Sequence, residues 1–157
     1  MKTIESLYDL GGLNLGGPRE LANITLVDES LDHLLIGPGR PPASTVLLKD
    51  SVFSRCAIRG ELRVAPGAVL ENVLFDDVRS ADMLTVSTQA VLDRVVVRGG
   101  RGAVGLWVKP SEFATSSDRQ DCEAWAATRQ SASSWMLDFS ELESKEVEVV
   151  GLPLDKL

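Results

Sequence analysis

The feature that most constrains this chain is a repeat. Between Val46 and Lys109 the sequence matches itself every 22 residues. Leu48, Leu70 and Leu92 fall in register, and so do Phe53, Phe75 and Val97. Leu62, Leu84 and Leu106 make a third set, and Val64, Val86 and Val108 a fourth. Pro66 and Pro110 stand two periods apart. Self-similarity at fixed spacing marks a unit that cannot bury its apolar face alone and buries it against copies of itself. The expectation is an all-β solenoid in which equivalent residues stack.

Each unit carries one frame: Leu48-Lys49-Asp50-Ser51-Val52-Phe53, then Leu70-Glu71-Asn72-Val73-Leu74-Phe75, then Leu92-Asp93-Arg94-Val95-Val96-Val97. Strand side chains alternate between faces. A short bend at Asn72 places Leu70, Val73 and Phe75 inward together. Leu84 and Val86 form a second inward pair and Val78 a further inward site, so each unit spans two or three short strands.

This frame and period resemble the right-handed parallel β-helix superfamily, the pectate-lyase-like fold, over about half of the chain. Asn72 matches the asparagine that such folds place at a tight bend. Asp50 and Arg94 hold that position in neighbouring coils, so a continuous asparagine ladder is not expected. The resemblance implies a short right-handed parallel β-helix of about four coils with a C-terminal helix and terminal caps. Bactofilin-type scaffolds are similar in their short β-helical coils rich in Val and Gly.

A single domain over 1–157 is expected, with a cap over 1–23, coils over 24–113, and a segment over 114–157 that packs on or caps them. Ile24 to Leu31 aligns with Thr45 to Val52 at a shift of 21 residues, as an imperfect first coil. Gly37-Pro38-Gly39-Arg40-Pro41-Pro42 then replaces the strand that later coils place near Leu62 and Val64, because proline removes ladder donors. Beyond 113 the repeat is expected to stop. Ser117 is the expected N-cap of a helix running to about Ser131, with Cys122, Trp125, Ala126 and Arg129 on one face. Trp135, Met136, Leu137 and Phe139 supply apolar cover. Glu146 to Val150 alternates like a half-buried strand, ended by Gly151 and Pro153.

Stacking also predicts the surface. Lys49 should lie on Glu71, Arg55 on Asp77 and Asp76 on Arg98, each pair worth roughly 0.2–1 kcal/mol. If Phe53, Phe75 and Val97 face inward, Val52, Leu74 and Val96 face outward, flanked by Leu47, Val69 and Val91. Such an aliphatic stripe needs a cover. The C-terminal helix with Trp125 is the favoured one, and another molecule the alternative. Trp107 projects beside Thr85 and Arg63, either as a binding anchor or under the terminal segment.

No catalytic, cofactor or metal signature emerges. His33 is the single histidine, which leaves a Ser-His-Asp triad dependent on one residue. Cys56 and Cys122 make neither a disulfide framework nor a zinc site. Gly11-Gly12 and Gly16-Gly17 lack the phosphate-loop frame. Gly99-Gly100-Arg101-Gly102 reads as a bend. The nearest match to the acids of polysaccharide-cleaving β-helix enzymes is Asp76, Asp77 and Asp82 with Arg98, but two consecutive acids on a strand point to opposite sides. A net charge of -7 and a pI near 4.7 argue against nucleic acid and anionic membranes, and fit either solubility, the commoner reason for acidity, or a basic protein partner. The N-terminus lacks a secretory apolar run, and no stretch reaches the roughly 18 apolar residues of a membrane span. A cytoplasmic protein with reduced thiols is expected.

The expected function is non-catalytic protein binding, most specifically as an inhibitor or immunity-type protein neutralising a toxin or enzyme. The candidate surface is Val52, Leu74, Val96, Trp107, Asp76 and Asp77. The alternatives are a self-assembling bactofilin-like scaffold, hence a homo-oligomer, and a carbohydrate-binding or carbohydrate-active protein.

Overall fold

The computed structural model describes residues 8–9, 12–15, 19–39, 45–130, 135–144 and 146–157. Strands β1 (Tyr8–Asp9) and β2 (Gly12–Leu15) come first. One unit then supplies β3 (Arg19–Ala22), β4 (Thr25–Val27), β5 (Ser30–Leu31) and β6 (Leu34–Ile36). The next supplies β7 (Val46–Ser54), β8 (Ala57–Ile58) and β9 (Leu62–Val64), and a third β10 (Ala68–Asp76), β11 (Arg79–Ser80) and β12 (Leu84–Ser87). A fourth gives β13 (Val91–Arg98) and β14 (Leu106–Lys109). Helix α1 (Ser116–Gln130), β15 (Leu137–Asp138) and β16 (Val147–Val149) follow.

These strands form three sheets. Sheet A runs β1-β2-β6-β9-β12-β14-β16, and sheet B runs β15-β13-β10-β7-β3 with β4 also on β7. Sheet C runs β11-β8-β5. Every pairing is parallel except the antiparallel β1–β2. No sheet closes on itself. Among the described residues the fold is therefore mostly β and parallel-stranded, with one α-helix.

The 22-residue period is the ladder register itself. Leu70 sits between Leu48 and Leu92, Phe75 between Phe53 and Val97, and Leu84 between Leu62 and Leu106. Leu48, Leu70, Leu84 and Leu106 are wholly buried. Phe53 and Phe75 stack with centroids 5.3 Å apart. Burying each such side chain contributes about 1.5–3 kcal/mol. Ser51 stands in the inward column of Val73 and Val95 and is satisfied there: its hydroxyl donates to the Lys49 carbonyl and accepts from the Ile24 N–H.

Asn72 is a bend, as expected. It has positive φ, as do Asn23, Asp50 and Arg94 at the equivalent positions, and a second such column holds Asp28, Arg55 and Asp77. The left-handed conformation resets the strand's alternation, which lets both Leu70 and Val73 point inward. Asn and Asp tolerate it because their short polar side chains bond locally, whereas Arg tolerates it less well. The Asn72 amide donates to the Asp50 carboxylate at 2.7 Å.

The structure corrects the reading of both ends. The first unit lies on the second at a shift of 27 residues in sheet B, with Leu21 on Leu48 and Leu26 on Phe53, rather than 21. The strand thought to be replaced by the Gly37–Pro42 loop exists one step earlier, as β6 on β9. Ten steps separate Ile36 from Val46 where four separate Val64 from Ala68, so the loop is an insertion after the strand. Residues 40–44 lie outside the described residues. β3 also belongs to sheet B, although 19–23 were read as cap.

The repeat does not stop at 113. β15 pairs with β13 and β16 with β14, so the chain returns to sheets B and A after the helix. Helix α1 is thus a second insertion at the same passage, from sheet A back to sheet B. Its N-cap is Thr115, whose hydroxyl accepts the Asp118 N–H at 3.1 Å, and not Ser117. The helix ends at Gln130, and Ser131 lies outside the described residues. Cys122, Trp125 and Ala126 are buried as expected, while Arg129 is exposed and lies over the Trp125 ring at 4.7 Å.

Candidate interaction surface

The outer face of sheet B carries two parallel aliphatic columns. Leu47, Val69 and Val91 form one, and Val52, Leu74 and Val96 the other. Helix α1 packs on the Val69 and Val91 end of the first. Trp125 and Ala126 pack on Val91, with Val69 beside them, and Val91 is 4% exposed. The Gln130 side chain completes this dock: its carbonyl accepts the Leu92 N–H at 3.0 Å and its amide donates to the Leu92 carbonyl at 2.6 Å. The expectation that the helix would cover the aliphatic stripe therefore holds for its Val69 and Val91 flank, while Val52, Leu74 and Val96 are not among the residues packed on Trp125 and Ala126. The helix enters at the corner before β15, which seats it over the flanking column. Val52, Leu74 and Val96 stay half-buried, bounded by Thr25 at one end and Asp138 at the other.

Polar ladders border this stripe. On one side Lys49 pairs with Glu71 at 3.6 Å, and Arg94 with Asp93 and Glu71. On the other, Arg98 donates to Asp76 at 2.8 Å, and the buried Ser54 hydroxyl donates to the second Asp76 oxygen at 3.0 Å. The expected Arg55–Asp77 pair is replaced. Arg55 reaches back to Asp28 with two bonds of 2.7 and 3.0 Å, and Asp77 takes Arg79 at 3.2 Å. Asp77 sits at the bend rather than on the strand, so its side chain leaves the Asp76 column.

The Arg98 guanidinium bonded to Asp76 holds that carboxyl below the usual carboxylate range, with the Ser54 hydroxyl reinforcing it and burial opposing. Arg55 does the same for Asp28. A folded-state pKa that is depressed stabilises the fold above the unfolded pKa of about 3.9, and that contribution disappears as pH falls through the lower folded value. The expected result is a denaturation midpoint that is flat near neutrality and falls below about pH 4. In Asp76→Asn the fall is shallower, as urea titrations at stepped pH would reveal. An unchanged slope in the variant would refute this role.

Beyond Arg98 lies a cleft of about 450 Å³ lined by Asp76, Gly99, Gly100, Ser140, Glu141, Leu142 and Glu143. Gly99 bridges to Leu142, and an added Cβ there would come within 2.6 Å of the Ala103 Cβ. The sequence reading missed this cleft because it took the chain beyond 113 to have left the repeat. The alternation Leu137-Asp138-Phe139, which repeats Val95-Val96-Val97 at its two inward positions, was the available signal.

Trp107 lies on a different surface. It projects from sheet A in the column Leu35, Arg63, Thr85, Trp107 and Glu148, half-buried, with the Lys109 ammonium 3.7 Å from its ring. The six expected surface residues are thus split: Val52, Leu74, Val96 and Asp76 share one face, Asp77 turns off it, and Trp107 is elsewhere. His33 is half-buried between β5 and β6. Cys56 and Cys122 are buried thiols outside any disulfide, and burial raises their pKa. Among the described residues no His, Cys, Asp and Glu cluster has a metal-binding arrangement, and no helix is long and apolar enough to cross a membrane. No protein-family model matches this sequence, and neither a curated protein nor a solved structure is significantly similar to it.

Proposed function

We propose that this chain winds as a short right-handed parallel β-helix of the pectate-lyase-like kind and serves as a non-catalytic, cytoplasmic protein-binding platform. The most specific form of this reading is an inhibitor or immunity-type protein that neutralises a basic toxin or enzyme. The observation that supports it is the half-buried Val52, Leu74 and Val96 stripe. It runs across three parallel strands, is framed by ion-pair ladders, and among the described residues lies outside the cluster that the helix forms with Val69 and Val91. An apolar centre with a charged rim suits protein recognition. The rim acids Glu71 and Asp76 are engaged with Lys49, Arg94 and Arg98 of adjacent strands, which fits register-setting pairs better than acid–base chemistry.

Capture from a lysate of the source cells, followed by assay of the captured protein, tests this reading. The native chain should retain a partner and suppress its activity. Leu74→Asp should lose capture at least tenfold while its melting temperature stays within a few degrees, because Leu74 is not a core residue. Identical capture by both chains would sink the assignment of the stripe, and capture of nothing would sink the function. The self-assembling scaffold reading is weaker, because the antiparallel β1 ends sheet A at one side and would interrupt head-to-tail stacking of parallel strands.

A further inference from the structure

Sheet A ends in an open edge. β16 pairs with β14 on one side and has no neighbour on the other among the described residues. The Glu146 carbonyl accepts the Leu106 N–H at 2.9 Å, and the Val150 N–H donates to the Val108 carbonyl at 2.9 Å. Along a parallel ladder, alternate residues direct both backbone groups to the same neighbour. Glu146, Glu148 and Val150 therefore serve β14, and Val147 and Val149 present their N–H and C=O groups to the empty side.

The apolar column stops there too. Val147 continues the Leu62, Leu84, Leu106 column yet is 36% exposed, and Val150 is 46% exposed. Sheet B is treated differently at this end. The turn Leu154–Lys156 reaches β15's start, where the Lys156 carbonyl accepts the Met136 N–H at 2.8 Å. A bare edge with exposed valines is a template for another strand.

The charge around the edge selects the occupant. Residues 135–157 hold six carboxylates against two lysines, and Glu141, Glu143, Glu146 and Glu148 are all exposed. A second copy pairing antiparallel on β16 would set Glu146 and Glu148 of both chains on one face at cross-strand distance, which is destabilising. We propose that the β16 edge receives an extended basic strand of a partner protein by strand addition. The incoming strand alternates: its apolar residues cover Val147 and extend the inner columns, and its Lys or Arg residues lie beside Glu146 and Glu148. This rests on the protein-binding reading above and names the partner's chemistry at a second contact, apart from the stripe.

The test uses the full chain, isotopically labelled, with a Lys-Val-Lys-Val-Lys peptide as probe. The peptide should shift the Val147 and Val149 amide resonances and slow their hydrogen exchange at least tenfold. A backbone N-methylated version and a Glu-Val-Glu-Val-Glu peptide should do neither. Val149→Pro deletes an outward N–H that β14 does not use, and should abolish protection. The double variant Glu146→Lys and Glu148→Lys should weaken binding at least tenfold. The proposal is overturned by absence of binding, by equal binding of the N-methylated peptide, or by shifts confined to other strands. Protection of Val147 and Val149 without peptide, in a chain that sediments as a dimer, also overturns it in favour of a second copy. Partner capture that survives Val149→Pro but not Leu74→Asp leaves the stripe reading standing and removes this one.

Discussion

Phe75→Ala should destabilise this protein by about 3–5 kcal/mol. Phe75 is 1% exposed and lies in the ladder between Phe53 and Val97, stacked on Phe53. Truncation removes the transfer free energy of the ring and leaves a void that parallel ladders on both sides prevent from collapsing. The offset stack itself adds about 0.5–1.5 kcal/mol beyond buried area. Equilibrium urea unfolding followed by far-ultraviolet circular dichroism measures the loss. The equivalent Val97→Ala should cost less, since a smaller side chain is lost. A Phe75→Ala loss below about 1 kcal/mol would mean that the ladders relax to fill the space, contrary to interlocked packing.

The second large effect is expected at Gln130. Its side chain acts as a one-residue strand, bonding both the N–H and the C=O of Leu92 where β15 has not yet begun. Leu92 is 1% exposed, so Gln130→Ala leaves two desolvated backbone groups without partners. Each unsatisfied buried group costs about 1–3 kcal/mol. The helix should loosen with it, because this dock joins the contact of Trp125 and Ala126 with Val91 in holding α1 to sheet B. Two measurements separate this from global destabilisation. Hydrogen exchange at the Leu92 amide should rise by at least tenfold more than at Leu70, and Trp125 emission should shift red. Equal acceleration at both amides would contradict a local dock.

The stretch from 46 to 109 was legible because 22 residues is both the sequence period and the hydrogen-bonding register, so each aligned set names its spatial neighbours. Leu48, Leu70 and Leu92, the bend at Asn72, and the Lys49–Glu71 and Asp76–Arg98 pairs all followed from that identity. Arg55 shows where it stops. Two partners sat in its column, and register alone could not say that it would reach back to Asp28 rather than on to Asp77. Flexible side chains choose by local geometry, and this choice is set at bends whose residues adopt positive φ.

Outside that stretch the period is broken by insertions, and a fixed-period alignment then shifts out of phase. Six extra steps after Ile36 hid β6 and displaced the first unit from 21 to 27. The helix did the same to β15 and β16. Insertions at a corner cost little, because loop-closure entropy grows only slowly with length. The hydrophobic columns, by contrast, are fixed by burial.

By itself the sequence determined the parallel register, the inward columns and the existence of an outward aliphatic stripe, since all three follow from alternation within a repeated unit. Only the tertiary structure decided which column the helix packs on, and that β16, among the described residues, ends sheet A in an acidic edge. Those outcomes depend on where inserted segments re-enter the sheets. That is set by packing between residues such as Trp125 and Val91 that lie far apart in the chain and share no period.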